Sequence, residues 1–382
     1  MTPNVATALA RAMDLSRTLP DPGMDGRPRV LFAVGDPQAP LEKFLSILDH
    51  QRLLGADGWL LPQVGLVSMG DHFDFGKDPA AARQDGLALL AWLAAHPKDQ
   101  VHLLAGNHDL GRVGELVALD DATFAAAQAW ASRIYRPDAT RQEDEQALQA
   151  AYPALPTAEL AARDFCGFAV AQRRLVEHLL RCGRMRAALA ASDTLLLVHA
   201  GVTRYELTAV GLDENARAPD IAAALQQALG RAVAAWDGTA PLEVPGLHVP
   251  GSAALGEGGG MFYHRPAHRG VDGVDAFKGP LRRRYDPCEI PPRVIQAVGH
   301  IRDAKCRVLL APFVVDAKPA REGALRHLRV TGPHSAAYAV GPLPDGVTGG
   351  AILFTDGGMA HVPAEDYALL RLPPEAQRWL SR

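Results

Sequence analysis

Four apolar runs in this chain end in the same way, on a glycine within two residues of a side chain that can hold a proton or a cation. They are Val30-Leu-Phe-Ala-Val-Gly-Asp36, Val64 to Met69 followed by Gly70-Asp71, Val101-His-Leu-Leu-Ala-Gly-Asn-His-Asp109, and Leu195-Leu-Leu-Val-His-Ala-Gly201. Short, turn-bounded runs of this composition read as buried strands, and open α/β folds place their sites at strand ends. Helical spacing fills the gaps between the first three runs. Leu41, Phe44, Leu45 and Leu48 share one face of a stretch from Leu41 to Leu54, and Leu87, Leu89, Leu90, Trp92 and Leu93 supply the apolar face of Pro79 to Ala95. The alternation strand, helix, strand, helix, strand predicts an α/β fold.

The rest of the chain is less regular. Residues 1–28 read as a loose N-terminal leader, and residues 29–382 as one domain. Within it, Gly111 to Asp193 turns to Ala, Leu, Gln and Arg at helical spacing, which predicts a helical insertion or cap over 111–193. Another helix is expected over Ile221 to Trp236, and the glycine-rich Gly251 to Pro280 reads as loop. Six short runs then predict strands of a second sheet: Val294–Val298, Val308–Ala311, Leu325–Val330, Ala336–Val340, Ala351–Phe354 and Ala360–Val362.

Composition narrows the functional classes. A formal charge of −4 gives no global reason to expect a nucleic-acid partner. No apolar run approaches the roughly 20 residues of a spanning helix, and the N-terminus lacks a signal peptide's apolar core. These features predict a cytoplasmic protein without a membrane partner. Cys166, Cys182, Cys288 and Cys306 show no CxxC spacing, so they read as reduced thiols rather than a zinc knot or disulfide frame.

The strand-end side chains together are Asp36, Gln38, Asp71, Asp74, Asn107, His108, Asp109, His199 and, after Val294-Ile-Gln-Ala-Val-Gly, His300. Asp or Asn at one strand end is an ordinary turn former; the repetition points to a site. Carboxylate, amide oxygen and imidazole without thiolate suit a catalytic Mn, Fe, Zn or Co centre better than a structural zinc.

In order, Gly35-Asp-Pro-Gln38, Gly70-Asp-His-Phe-Asp-Phe-Gly76, Gly106-Asn-His-Asp109, His199-Ala-Gly201 and Gly299-His300 resemble the five blocks of the calcineurin-like metallophosphoesterases. The PPP-type branch, with its bacterial Shewanella-like and diadenosine-tetraphosphatase-like phosphatases, is the most similar. The resemblance implies a two-sheet, four-layer α/β sandwich with helices outside and two divalent metal ions, manganese first, with iron, zinc or cobalt as alternatives. Asp36 and Gln38 would hold one metal, Asp71 would bridge, and Asn107, His199 and His300 would hold the other. His108 would protonate the leaving oxygen with Asp109 or Asp74 orienting its imidazole, and a metal-bridging hydroxide would attack phosphorus.

Two positions depart from that pattern. Gln38 stands where the first block normally ends in His, which weakens a ligand of the first metal. Phe75 stands where the PPP branch usually carries an arginine that grips phosphate, so another cation is needed: Arg265 first, then Arg302 and Arg204. The implied activity is hydrolysis of a phosphomonoester or phosphoanhydride. Its substrate is a phosphorylated small molecule or protein, the large cap favouring the former. A Ser/Thr/Tyr protein phosphatase of the same family and a non-catalytic binding protein are the rival readings, and a nuclease would require a basic groove.

Overall fold

The structure is a computed structural model that describes residues 1–76, 78–137, 139–271, 273–279, 282–316 and 319–380. The expected strand endings belong to two sheets. In the first, β1 (Val30–Val34), β2 (Val64–Ser68), β3 (Val101–Leu104) and β4 (Met185–Arg186) lie side by side and parallel. In the second, β5 (Ala188–Ala190) pairs antiparallel with β6 (Leu195–Val198). Two minor pairs follow, β7 (His248–Val249) with β8 (Gly259–Gly260), and β9 (Arg265–Pro266) with β10 (Arg284–Tyr285). The second sheet is completed by β11 (Ile295–Val298), β12 (Arg326–Gly332), β13 (Ser335–Val340) and β14 (Ala351–Phe354), in the order β13-β12-β14-β11-β6-β5. A last strand, β15 (Leu370–Arg371), returns to the first sheet antiparallel to β1.

The period-two pattern explains why the sheets stack face to face. Ala33 pairs in register with Val67, and Leu197, Ala297 and Leu353 lie abreast across three parallel strands. All five are buried in one apolar layer with Leu31, Met69, Leu104 and Leu189. The alternate residues Val34, Leu66, Leu196 and Val198 face the other way, into the apolar layers that include the helices. Those helices include α1 (Pro3–Leu15), α2 (Leu41–His50) and α3 (Pro79–Ala94). The result is a two-sheet α/β sandwich flanked by helices.

The N-terminal segment is not loose throughout. Thr2 caps α1 through Val5 N–H, Pro3 fits the first turn, and Val5, Ala8 and Ala12 are buried at helical spacing. Small residues gave this face little apolar contrast in the sequence. After α4 (Asn107–Gly111), residues 112–181 carry α5 (Asp121–Ile134), α6 (Gln142–Ala151), a π-helical turn at Leu160–Asp164 and α7 (Val170–Arg181). Phe124, Leu148, Leu160, Phe165 and Phe168 form an apolar cluster of their own there. Strands β4 and β5 lie inside the stretch expected to be helical, because Met185, Ala188 and Leu189 complete the sheets.

Two expected strands are something else. Val308–Ala311 overlaps a helix from Asp303 to Leu309, in which Arg307 reaches back one turn to Asp303 at 3.1 Å and Cys306 and Leu309 are buried. Ala360–Val362 overlaps a 3-10 turn at Met359–His361, started by Gly358 at φ +61°. Among the described residues no helix is long and apolar enough to cross a membrane.

Buried neutral histidines give the fold a predicted acid sensitivity. Burial pushes His96 down to about 3 and His248 down to about 4. His96 is held neutral by structure, with its Nδ1 2.8 Å from Trp92 O and its Nε2 accepting from Leu60 N. The unfolded chain binds this proton near the ordinary value of 6.5. The stability that His96 supports is therefore complete above pH 6.5 and is lost as pH falls from there toward 3, at up to about 1.4 kcal/mol per pH unit. Comparing wild type with His96→Gln by urea denaturation from pH 7.5 to 5 isolates this contribution. Wild type should lose its advantage over the variant across that range; a constant difference would refute the account.

Candidate active site

Six strand ends from the two sheets meet at one place. Asp36 follows β1, Asp71 follows β2, Asn107 follows β3, His199 follows β6 and His300 follows β11. The sixth is Asp356, after β14, a residue the sequence reading passed over although Ala351–Phe354 shows the same apolar-strand ending. Close approach of these turns needs glycine at Gly70 and Gly106. Gly70 has φ +99°, and a Cβ there would sit 2.7 Å from Gly106 N; a Cβ on Gly106 would sit 2.1 Å from Asp71 Oδ1. The described non-glycine residues in the left-handed region are Arg52, Asp71, Asp74 and His300. Three of these four belong to the site, and unfavourable backbone of this kind persists where surrounding structure enforces it.

Asp71, His199 and His300 present ligand atoms that all lie within 4.8 Å of one another. Nε2 of His199 is 3.4 Å from Asp71 Oδ2, 3.2 Å from Asn107 Oδ1 and 3.1 Å from His300 Nδ1. The far nitrogen of each ring is committed to backbone: His199 Nδ1 lies 2.8 Å from Met69 O and His300 Nε2 lies 2.9 Å from Tyr263 O. Carbonyls only accept, so both rings carry hydrogen there, and in their neutral forms they turn lone pairs toward each other. Two facing imidazole lone pairs, a carboxylate and an amide oxygen fit a divalent cation.

Charge at the site is strongly perturbed. Burial opposes ionisation of Asp71, but His199 and His108 outweigh it and hold the carboxyl below its usual range. Burial would also lower His199, and the Asp71 carboxylate instead raises it to about 9. For His300, burial wins with help from Arg265 and His199, and its pKa falls well below the ordinary value. Asp36 accepts the backbone N–H of His300 at 2.8 and 3.0 Å. Burial first, and then the neighbouring Asp356 carboxylate, push its pKa well up. Two buried carboxyls acting on each other are a second place where a cation would relieve the charge. Gln38 lies nearby, donating from Nε2 to Phe73 O at 3.1 Å, so its Oε1 is the atom left for a metal.

His108 stands between the carboxylates. Its backbone N–H donates to Asp71 Oδ1 at 2.9 Å, its Nδ1 is 2.9 Å from Asp74 Oδ2, and its Nε2 is 4.0 Å from Asp71 Oδ2. Burial would depress it, yet Asp71 and Asp74 raise it to about 9. Of the two carboxylates, Asp74 is the one hydrogen-bonded to the His108 ring. Asp109 instead accepts from Asp71 N, Gly106 N and His72 N, and lies 3.0 Å from His72 Nδ1. It knits the two turns together and has no contact with the His108 imidazole, because its side chain points back under its own helix start. The N-terminus of α3 is capped by Asp78, which accepts from Ala80 N and Ala81 N.

Arg112 is the residue whose importance sequence reasoning missed. It is fully buried, grips both oxygens of Asp74 at 2.6 and 2.9 Å, donates to His108 O, and lies over Phe73. Its spacing of four from His108 places it on the same helical face, a signal that was present. Asp74 Oδ1 also accepts from Gly167 N at 2.8 Å, which ties the helical stretch to the site.

A cavity of about 60 Å³ opens beside Asn107 and His108, with Arg163, Asp164, Tyr263 and Arg265 in its wall. Arg265 is the expected cation that reaches it, with Glu257 3.7 Å away as its partner. Arg302 is exposed and its side chain packs over Gly358, near Asp356. Arg204 does not reach the cavity: it pairs at the surface with Glu214 at 3.0 Å. Capped by Thr203, its short helix turns the side chain outward, which corrects the sequence expectation. Arg163 and Asp164 arrive from the π-helical turn, and no local pattern announced them.

No family model matches the chain, and no curated protein matches it significantly. Solved structures do. A cold-active protein tyrosine phosphatase of a psychrophile, Shewanella sp., aligns over 94% of this chain and 84% of that one, at 12% identity and a TM-score of 0.37. A protein serine/threonine phosphatase from Saccharomyces cerevisiae with similarity to human phosphatase PP5 aligns over 89% of this chain and 77% of that one, at 14% identity and a TM-score of 0.34. At likeness this low, the chemistry has to be read from the site's own residues.

Proposed function

We propose that this protein is a metal-dependent phosphoesterase acting on a small phosphomonoester or phosphoanhydride. The observation that carries the reading is the convergence of Asp71, Asn107, His199 and His300 beside a protonated His108 that faces a cavity walled by Arg265. Asp71, Asn107, His199 and His300 would hold one divalent cation, and Asp36 with Gln38, bridged through Asp71, a second. Bound there, the cations would supply Lewis-acid stabilisation of charge on the phosphate oxygens and make a nucleophilic water more acidic. Manganese is the first choice for a donor set of oxygens and imidazoles.

The chain's own residues supply the rest. Arg265 offers a guanidinium to a phosphate oxygen, displacing its long contact with Glu257. His108 carries a proton at Nε2 and passes it to the leaving oxygen, while Asp74 fixes the ring through Nδ1. The narrow cavity, closed on one side by the π-helical turn, supports a small substrate over a protein phosphatase's extended one.

The test is Mn²⁺-dependent hydrolysis across a phosphomonoester, a phosphodiester and a dinucleotide. Metal-loaded wild type no more active than His108→Ala and Asp71→Asn on every substrate would leave a non-catalytic binding protein as the reading. A general acid also predicts a graded loss. His108→Ala should cost about 10²–10⁴-fold on an alkyl phosphate and much less on p-nitrophenyl phosphate, whose leaving group needs no proton. Equal losses on both substrates would remove His108 from that role.

A further inference from the structure

At the opposite ends of β3 and β4 from the candidate active site lies a larger cavity, of about 190 Å³. Its wall includes His102, Arg184 and Arg186, with Met24 and Leu380 as apolar surface. The other charged residues of the wall are already matched. Lys98 pairs with Asp21 at 2.7 Å, and Asp99 accepts from Asp25 N and Gly26 N and meets Arg29 at 3.2 Å.

Neither arginine has a carboxylate within ion-pair distance among the described residues, and Asp21 and Asp99 act on Arg184 only from farther away. Arg184 is buried and donates only to the carbonyls of His96, Lys98 and Val101, with its Nε left without a partner. Arg186 has no carboxylate within ion-pair distance among the described residues, and burial lowers its pKa. His102, 6% exposed, has an Nε2 without a hydrogen-bond partner. Buried charge without a counter-charge is costly, and one carboxylate would balance only one of the two guanidiniums.

We propose that this cavity binds the phosphate group of a small phosphorylated molecule, held by Arg184 and Arg186 with His102, and with its organic part against Met24 and Leu380. A dianionic tetrahedral group balances both guanidiniums and offers acceptors in several directions. The site is separate from the proposed catalytic centre and does not depend on it.

Equilibrium dialysis of the full chain with radiolabelled inorganic phosphate tests this. Arg265→Ala removes the proposed active-site contact and should still retain one phosphate per chain. Adding Arg186→Gln should weaken that retained binding by about tenfold or more, as expected for loss of a charge-assisted pair, while Arg186→Lys weakens it less. Sulfate should displace the phosphate, and acetate at matched ionic strength should not. Arg186→Gln alone should leave basal turnover unchanged, and its circular dichroism and thermal midpoint report whether it folds. Equal binding to Arg265→Ala and to the Arg265→Ala/Arg186→Gln double variant, or equal displacement by acetate, would overturn the proposal.

Discussion

Asp71→Asn is expected to abolish divalent-metal retention and to reduce phosphoesterase turnover far beyond the about 10–100-fold typical of losing an outer partner of a metal ligand. Asparagine suits the position. It tolerates the left-handed backbone that Asp71 adopts at φ +58°, and its side-chain oxygen can still accept from His108 N. The turn should therefore survive while the charge is lost. That charge faces His199, His300 and His108 together, so no other residue in the cluster replaces it. Manganese content after gel filtration, measured beside turnover and thermal midpoint, separates the outcomes. A folded variant with wild-type metal content and turnover would remove Asp71 from the centre of the site.

Arg112→Ala should be the most destabilising single change near the site, by about 3–5 kcal/mol, because it leaves Asp74 buried without its guanidinium. Asp74 is 7% exposed and accepts from Arg112, His108 and Gly167 at once. Burial opposes its ionisation, and Arg112 and His108 outweigh that to hold its pKa below the usual carboxylate value. Arg112 also closes on Gln172 at 3.2 Å, so its removal loosens the helical stretch from the site as well as from the sheet. In a double-mutant cycle by urea denaturation, Arg112→Ala with Asp74→Ala should cost clearly less than the sum of the single changes. Additive losses would mean that Arg112 acts through packing on Phe73 rather than through Asp74. Turnover should fall with Arg112→Ala even in the folded fraction, since the Asp74 that orients His108 is no longer held.

Legibility in the sequence followed the range of the physics. Asp36, Asp71, Asn107 and His199 could be found because a strand is a local object and its ending is written within a few residues. His300 needed only one further strand. The split between Asp74 and Asp109 was not legible, since two acids on neighbouring turns have the same local chemistry. Their roles depend on which turn lies over which: Asp109 meets His72 and Gly106, and Asp74 meets His108 and Arg112. Arg204 failed for the related reason that closeness to His199 in sequence says nothing about the direction of a side chain one helical turn later. The strands expected at Val308 and Ala360 failed because short apolar runs fit a buried helical turn equally well.

The sequence by itself determined that the protein is built from strands carrying ligand-type residues at their ends, because hydrophobic alternation and glycine turns act over distances of a few residues. Only the tertiary structure decided which of those residues meet. It brought His300 to His199 across 101 positions of chain, set Asp356 beside Asp36, placed Arg112 under Asp74, and left Arg184 and Arg186 without a carboxylate at ion-pair distance among the described residues. Each of these is a relation between segments whose separation in the chain carries no information about their separation in space, and it is settled by how two sheets and their helices bury apolar surface together.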